Sequence, residues 1–281
     1  MLLKIKRKIS SLGSELVYRL ALLKHAANLP SLEAGDRKIL DDLKCDGIHI
    51  TTLAELGFDS TAELLKAAYG YSSQMESGNH DDSKEQFPQV YTVTYLPEFA
   101  TWGSEKRLLN IIENYIGLPI IFHGVHLRKD FPNKNQFGTQ LWHKDAEDRR
   151  MIKIIIYLND VEEKHGPFEY IPASLTSLFK LNYYRTYYKL WQSGHLGITD
   201  EELNEIIPKE AWKSCIGSAG TVIIVDPKKA IHHGTSRTED RLTLFSCYTS
   251  TSPDRPEVCT QYRDNTFPQP KLVPYSSVQA S

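Results

Sequence analysis

Residues 141–148 read LWHKDAED, and they determine how the rest of the chain is interpreted. They lie in a region, about residues 118–251, where short apolar or alternating runs are broken by Gly, Pro, Asn and Asp, as is typical of β-strands. In a strand, side chains at i and i+2 project from the same face, so a strand over residues 140–145 presents His143 and Asp145 together. We therefore expect a β-rich core that carries two neighbouring metal-binding side chains.

A second stretch rich in histidine follows later in the chain. Residues 226–244 read DPKKAIHHGTSRTEDRLTL, directly after the strand-like TVIIV of residues 221–225. Either His232 or His233 can complete a set of three ligands, but neighbouring strand residues face opposite ways, so only one of them reaches the same metal. Two imidazoles and one carboxylate on one face of an octahedron leave positions open for a chelating co-substrate and dioxygen, as in non-haem iron(II) oxygenases.

Arg241 and Thr243 follow these histidines, two residues apart on one face of the next predicted strand. A guanidinium grips a carboxylate through two parallel hydrogen bonds, and a neighbouring hydroxyl adds a third donor. The pair therefore suits the distal carboxylate of 2-oxoglutarate. The alternative is a surface ion pair between Arg241 and Glu239 or Asp240.

The sequence resembles the phytanoyl-CoA dioxygenase-like family of iron(II)/2-oxoglutarate-dependent oxygenases. The resemblance rests on the WHKD of residues 142–145, on the IIIYLNDV and HGPFEYIPAS of residues 154–174, and on residues 220–241. It implies a mainly β chain with flanking helices (α+β) around a double-stranded β-helix, a jelly-roll or cupin-like core. Ala173 and Leu175 depart from the family pattern, which has glycine and histidine at these positions.

Carried over residue by residue, the resemblance implies that His143, Asp145 and His232 bind Fe(II). His232 is preferred as the third ligand because the family has the pattern His-any residue-Gly there, which matches residues 232–234; His233 stays as the alternative. Arg241, with Thr243, would bind 2-oxoglutarate. The implied reaction consumes O2 and releases succinate and CO2. Related halogenases carry a small residue where this chain has Asp145, so halogenation is disfavoured.

Four further residues are candidates for contact with substrate or co-substrate: Arg128, Trp142, Tyr157 and His126. Arg128 could bind the co-substrate or an anionic substrate, or simply face solvent. Tyr157 either lines the barrel or fills its core, and a lone histidine such as His126 is more often structural than functional.

The function that we expect is hydroxylation of an unactivated C–H bond of a small-molecule metabolite, as a tailoring step in biosynthesis. One alternative is an oxygenase of a lipid or an acyl thioester. Another is a catalytically silent β-barrel binding protein, but such a protein does not require two histidines, an aspartate and an arginine in this pattern.

We expect one domain with three parts. Residues 1–117 form a helical scaffold that packs on the core, residues 118–251 form the catalytic core with a helical insertion at about 175–215, and residues 252–281 form an irregular Pro-rich tail. The aromatic-rich stretch 178–191 within the insertion is either a lid over the site or a helix packed on a sheet. The polar stretch 72–86 is interpreted as a surface loop.

The whole-chain composition excludes some classes of partner. A formal net charge of −2 provides no broad positive field for nucleic acid. The four cysteines form no CxxC pair, which favours reduced thiols and a cytoplasmic location. Near the N-terminus, five apolar residues recur at helical spacing, which predicts an amphipathic helix lying on the core. They are Ile9, Leu12, Leu16, Leu20 and Leu23. Basic residues in the first turn leave open contact with a membrane surface.

Overall fold

A computed structural model of the chain describes residues 2–75, 87–133, 136 and 138–271, with side chains of the first helix described from residue 13 onward. Most of the predicted loop over residues 72–86 therefore lies outside the described residues, as does the end of the tail, residues 272–281.

The described residues form two antiparallel β-sheets. The strands are β1 (Ile48–Thr52), β2 (Gln89–Thr92), β3 (Ile120–Asp130), β4 (Ile152–Tyr157), β5 (Phe168–Ile171), β6 (Lys213–Cys215), β7 (Thr221–Val225), β8 (Ile231–Gly234) and β9 (Arg241–Ser250). The larger sheet has the order β1-β7-β4-β9-β3-β2, and the smaller sheet has the order β6-β5-β8.

Alternation along β4 decides what each face of the larger sheet contacts. Ile154 and Ile156 join the core beneath the helices, whereas Ile155 and Tyr157 pack with Phe168 of the smaller sheet. The period of two that defines a strand thus places one set of side chains between the two sheets. The predicted double-stranded β-helix core with flanking helices is confirmed.

Helices cover the outer face of the larger sheet and make up the insertion. They are α1 (Leu2–His25), α2 (Asp36–Asp46), α3 (Leu53–Leu56), α4 (Thr61–Ser72), α5 (Pro97–Gly103), α6 (Lys106–Ile116), α7 (Leu181–Gln192) and α8 (Asp200–Asn204). In α6, Leu108, Ile111 and Ile112 are fully buried at helical spacing. The helix ends at Gly117, whose φ of 80° suits a residue without a side chain.

The first 117 residues also add two strands to the larger sheet. β1 pairs with β7, and β2 pairs with β3, both antiparallel. This region is therefore built into the sheet through backbone hydrogen bonds, in addition to the helices that the sequence predicts.

The prediction that the apolar stripe of α1 lies on the core is wrong for Leu16, Leu20 and Leu23, whose side chains are 61%, 48% and 73% exposed. The helix instead contacts the rest of the protein through the opposite face, which carries Tyr18 and His25. The Arg149 guanidinium lies 5.0 Å from the centre of the Tyr18 ring, and His25 is hydrogen-bonded to Glu113 at 2.7 Å. Ile9 and Leu12 lie outside the described side chains. Within the described ranges, no helix is long and apolar enough to cross a membrane.

The helical insertion contains a helix that packs against the smaller sheet, but it does so through aliphatic Leu190 and not through its aromatic residues. In α7 the buried side chains are Thr186 and Leu190, and several aromatic ones are more than half exposed. The exposed aromatic residues of α7 are Tyr184, Tyr187, Tyr188 and Trp191. They are not among the cavity-lining residues, and they lie on the exposed side of a helix whose Leu190 is buried with Ile171 of β5 and Ile231 of β8.

Candidate metal centre

The predicted strand over residues 140–145 is wrong: Gln140 ends a 3-10 helix (Gly138–Gln140), and Trp142 and His143 form isolated β-bridges instead of a strand. His143 makes one isolated antiparallel bridge to His232, with N–H to O=C distances of 3.0 and 3.1 Å. The pairing stops because residues 226–230 turn, with the Ala230 amide donating back to the Asp226 carbonyl, so no straight strand remains opposite Asp145. The amide of Asp145 instead donates to the Pro227 carbonyl at 3.0 Å.

The structure brings His143, Asp145 and His232 together. One ligand atom from each residue lies within 4.8 Å of the other two. Asp145 Oδ1 is 3.5 Å from His143 Nε2 and 3.8 Å from His232 Nε2. Two residues from the WHKD stretch and one from β8 thus converge on a common point between the two sheets.

The two imidazoles are oriented by backbone carbonyls. His143 Nδ1 lies 2.7 Å from the Leu141 carbonyl, and His232 Nδ1 lies 3.1 Å from the Ala230 carbonyl. Because a carbonyl only accepts, each Nδ1 carries the proton, and each Nε2 keeps a lone pair directed at the cluster. A ring whose Nδ1–H is held by a backbone carbonyl is typical of metal-binding histidines, and the nitrogen and oxygen donors fit Fe(II).

The electrostatics favour the deprotonated forms of His232 and Asp145 but not that of His143. Burial, together with His143, lowers the pKa of His232 to about 3, so its imidazole is neutral at physiological pH. Burial acts to raise the pKa of Asp145, but Lys153 and the two histidines outweigh it and lower that pKa well below its usual range. For His143, burial lowers the pKa, but the hydrogen bond with Asp145 prevails and raises it.

His233 points away from this cluster. Its ring stacks on Trp142, with 3.7 Å between the ring centroids, and its Nε2 lies 3.0 Å from Glu169. Its Nδ1 lies 2.8 Å from the Gln140 carbonyl. Both ring nitrogens therefore have protein partners, as the opposite faces of neighbouring strand residues predict.

Arg241 lines the same cavity and is buried. It pairs with Asp130 at 3.0 Å, not with Glu239 or Asp240, and also donates to the Gly166 carbonyl. Thr243 is fully buried, and its hydroxyl donates to the Arg128 carbonyl at 3.4 Å. The structure thus brings Arg241 to the cavity but does not bring Thr243 there.

Asp130 is shared by three arginines. Its carboxylate lies 2.7 Å from Arg128, 2.9 Å from Arg237 and 3.0 Å from Arg241. Burial acts to raise the pKa of Asp130, but the three guanidinium groups outweigh it and lower that pKa far below its usual range. One carboxylate among three guanidinium groups leaves a net positive charge at this end of the cavity, which suits an anionic ligand.

The four further candidates divide into two pairs. Arg128 and His126 line the cavity. Tyr157 belongs to the core, where its hydroxyl donates to the Cys215 carbonyl at 2.9 Å. Trp142 is fully buried, and its indole N–H donates to Asp200 at 2.8 Å.

Several residues that line the cavity were missed by the sequence interpretation. Lys153 of β4 lies 2.6 Å from Asp145 and 2.8 Å from Glu147, and its position on the same strand face as Ile155 was a signal that could have identified it. The tail also contributes, between residues 257 and 267, and its irregular sequence carried no such signal. Tyr262 of the tail stacks on His126, with 4.2 Å between the ring centroids.

Comparison with protein families decides the identity of the chain. The sequence profile of phytanoyl-CoA dioxygenase (PhyH) matches residues 57–241, which include all three clustered residues and Arg241. The chain belongs to the phytanoyl-CoA dioxygenase family. It is therefore a non-haem iron, 2-oxoglutarate-dependent oxygenase, and the family uses Fe(II), 2-oxoglutarate and O2. No curated protein sequence matches the chain significantly.

Solved structures share the fold of this family member at low sequence identity. HygX from Streptomyces hygroscopicus, with nickel, 2-oxoglutarate and hygromycin B bound, has a TM-score of 0.51 and 16% identity, covering 76% of this chain and 87% of its own. EctD from S. alaskensis, with 2-oxoglutarate and 5-hydroxyectoine, has a TM-score of 0.52 and 20% identity, covering 79% and 77%. The carbocyclase SnoK from nogalamycin biosynthesis has a TM-score of 0.53 and 13% identity, covering 87% and 98%.

Proposed function

We propose that this oxygenase hydroxylates a C–H bond of a small-molecule metabolite as a biosynthetic tailoring step. The observation that carries the proposal is that His143, Asp145, His232 and Arg241 meet in one cavity of about 580 Å³. That volume is within the range of pockets that hold drug-sized molecules. The similarity in fold to HygX with hygromycin B bound, to EctD with 5-hydroxyectoine, and to SnoK from nogalamycin biosynthesis supports the same class of substrate.

In this proposal His143, Asp145 and His232 hold Fe(II), and Arg241 binds the distal carboxylate of 2-oxoglutarate. When bound, Fe(II) and 2-oxoglutarate supply the activation of O2, coupled to release of succinate and CO2. The carbonyls of Leu141 and Ala230 keep each imidazole Nε2 directed at the metal position. Thr243 has a supporting role in this scheme, because its buried hydroxyl joins β9 to β3 beside Arg241.

The remaining cavity walls bind and orient the substrate. Phe168, Phe245 and Phe267 line the cavity and exclude water from the reacting centre, while Arg128 and His126 provide polar contacts. The tail residues 257–267 form one wall of the cavity and lie outside residues 57–241, which match the family. In this proposal that wall contributes to the choice of substrate.

We also propose that the chain acts as one domain, with residues 1–117 as scaffold, residues 118–251 as catalytic core and residues 252–281 as tail. The pairing of β1 with β7 and of β2 with β3 supports this organisation, because the scaffold cannot leave the core without breaking these ladders.

Spectroscopy tests the metal and co-substrate assignment. Anaerobic Fe(II) plus 2-oxoglutarate should give a visible charge-transfer band, and Asp145→Ala should abolish it. Incubation with a library of small metabolites, followed by mass spectrometry, should show 2-oxoglutarate-dependent gain of one oxygen atom by the substrate. Absence of the band in the unmodified protein would contradict the metal site, and a product without added oxygen would contradict hydroxylation.

A further inference from the structure

The two oxygens of the Asp145 carboxylate have different surroundings. Oδ1 faces the two imidazoles, 3.5 Å from His143 Nε2 and 3.8 Å from His232 Nε2. Oδ2 accepts a hydrogen bond from the Lys153 ammonium at 2.6 Å. One oxygen is thus free to bind the metal, while the other already has a cationic partner.

Lys153 is itself fixed in place. It lies in the middle of the larger sheet on β4, and its ammonium also donates to Glu147 Oε1 at 2.8 Å. The second oxygen of Glu147 accepts from the Ala146 amide at 2.9 Å. A buried ammonium requires such pairing to offset its loss of hydration. The backbone at residue 146, Glu147, Lys153 and Asp145 therefore form one connected chain of hydrogen bonds.

We propose that Lys153 is a positioning residue that keeps Asp145 a ligand through one oxygen only. This inference rests on the proposed function, because it presumes that the cluster binds Fe(II). Three protein ligands leave three of six octahedral positions for a two-point chelate and O2. If Asp145 bound through both oxygens, it would occupy one of those three positions. By holding Oδ2, Lys153 keeps all three remaining coordination positions open for 2-oxoglutarate and O2.

The variant Lys153→Met tests this role, since methionine has similar length but no charge. The freed oxygen and the loss of a nearby cation both favour the metal, so we expect Co(II) to bind Lys153→Met at least as tightly as it binds the unmodified protein. We expect 2-oxoglutarate to bind the metal-loaded variant about tenfold more weakly, a typical effect of residues that support metal ligands. The visible spectrum of the Co(II) protein without 2-oxoglutarate should change, because the carboxylate coordinates differently.

The control is Lys129→Met. Lys129 lies on β3, is paired with Asp240 at 3.3 Å and is not among the residues that line the cavity. Its loss should alter neither the Co(II) spectrum nor the affinity for 2-oxoglutarate. A second variant, Glu147→Gln, removes one of the two carboxylate charges that hold Lys153. It should change the Co(II) spectrum and the affinity for 2-oxoglutarate in the same direction as Lys153→Met does, but to a smaller extent. Glu147→Gln also decides the question if Lys153→Met does not fold.

Two results would overturn the inference. One is an unchanged Co(II) spectrum with unchanged affinity for 2-oxoglutarate in both Lys153→Met and Glu147→Gln. The other is a parallel loss of Co(II) and 2-oxoglutarate binding in Lys153→Met, which indicates a general structural role. If the unmodified protein itself binds no Co(II), the proposed metal site fails first, and the two failures are thereby distinguished.

Discussion

At the scale of single residues, hydrogen bonds distinguish a ligand from its neighbour. His232 and His233 are adjacent and both buried. His233 is hydrogen-bonded through both ring nitrogens, whereas His232 is hydrogen-bonded through Nδ1 and directs Nε2 at the cluster. His233 has both nitrogens engaged and stacks on Trp142. A ring with both nitrogens occupied stabilises the fold, whereas a ring with one lone pair directed at a cluster is suited to a metal.

Substitution of each histidine should separate these roles. His232→Ala should lose Fe(II) binding by at least about 100-fold, because one of three protein ligands is removed. His233→Ala should retain the metal but lower the free energy of unfolding by about 2 kcal/mol, because it removes the buried hydrogen bonds that His233 makes with Glu169 and with the Gln140 carbonyl. Metal titration and urea unfolding measure the two effects. Retained iron in His232→Ala with loss in His233→Ala would reverse the assignment.

Arg241 belongs to the same scale. Arg241→Ala should weaken 2-oxoglutarate binding by about 2 kcal/mol or more, because a charge-assisted pair is lost, while Fe(II) binding persists. The loss is measured by titrating 2-oxoglutarate into the Fe(II) protein and following the charge-transfer band. Arg107→Ala is a suitable comparison, since Arg107 pairs with Asp36 on the helical side. Unchanged succinate release by Arg241→Ala would contradict the co-substrate assignment.

At the scale of elements, how well the sequence predicts a segment depends on whether its conformation is set locally. β4 and β7 are rich in apolar and β-branched residues, with Lys153 as the one charged residue of the two strands, and the sequence predicts both almost to the residue. The WHKD segment forms isolated β-bridges instead of the predicted strand, because residues 226–230 turn away from it. The side chains of His143 and Asp145 still point in the same direction. Their proximity was therefore predictable, although the lack of regular strand pairing was not.

The turn at residues 226–230 carries a titratable group of its own. Asp226 accepts from the Tyr115 hydroxyl at 2.6 Å and from the amides of Lys228 and Lys229. Burial raises the pKa of Asp226 to about 6, and these hydrogen bonds oppose that rise only in part. The folded state therefore keeps a proton at a pH where the unfolded state has lost it.

The sign of the pH dependence follows from that difference. The contribution of Asp226 to stability should fall as pH rises from about 4 to about 6, by roughly 2 to 3 kcal/mol, and stay low above that window. Asp226→Asn keeps an acceptor for the two amides but does not titrate. Urea unfolding of both proteins at pH 4 and pH 7 gives the difference. An equal change in both proteins between these pH values would contradict a raised pKa.

At the scale of the whole molecule, the sequence predicted the sheet core and its helical cover but not the parts that depend on distant contacts. The exposed stripe of Leu16, Leu20 and Leu23 follows from contacts made by the opposite side of α1, and no local pattern encodes them. The role of the tail likewise depends on rings far apart in sequence, since Tyr262 and Phe267 both contact His126.

Binding of the metal and co-substrate should stabilise the whole fold, because residues from the WHKD segment, β8 and β9 hold them jointly. With both at about 100 times their dissociation constants, the gain from each site is about 2.7 kcal/mol, so the melting temperature should rise by several degrees. Calorimetry with and without a chelator measures the shift. His143→Ala should show no metal-dependent shift, and a shift of equal size in that variant would place the binding elsewhere.

The proposed metal ligands and one wall of the cavity come from different parts of the chain. The proposed metal ligands are held by β8 and by backbone hydrogen bonds to His232 and Pro227. One wall of the cavity instead comes from residues 257–267, held by hydrogen bonds such as the one from the Thr94 hydroxyl to the Tyr262 carbonyl at 2.7 Å. Evolution, or an engineer, can therefore exchange this short peripheral stretch to admit a different molecule without disturbing the oxidising centre. Chimaeras that swap it among relatives would reprogramme selectivity at little risk to chemistry.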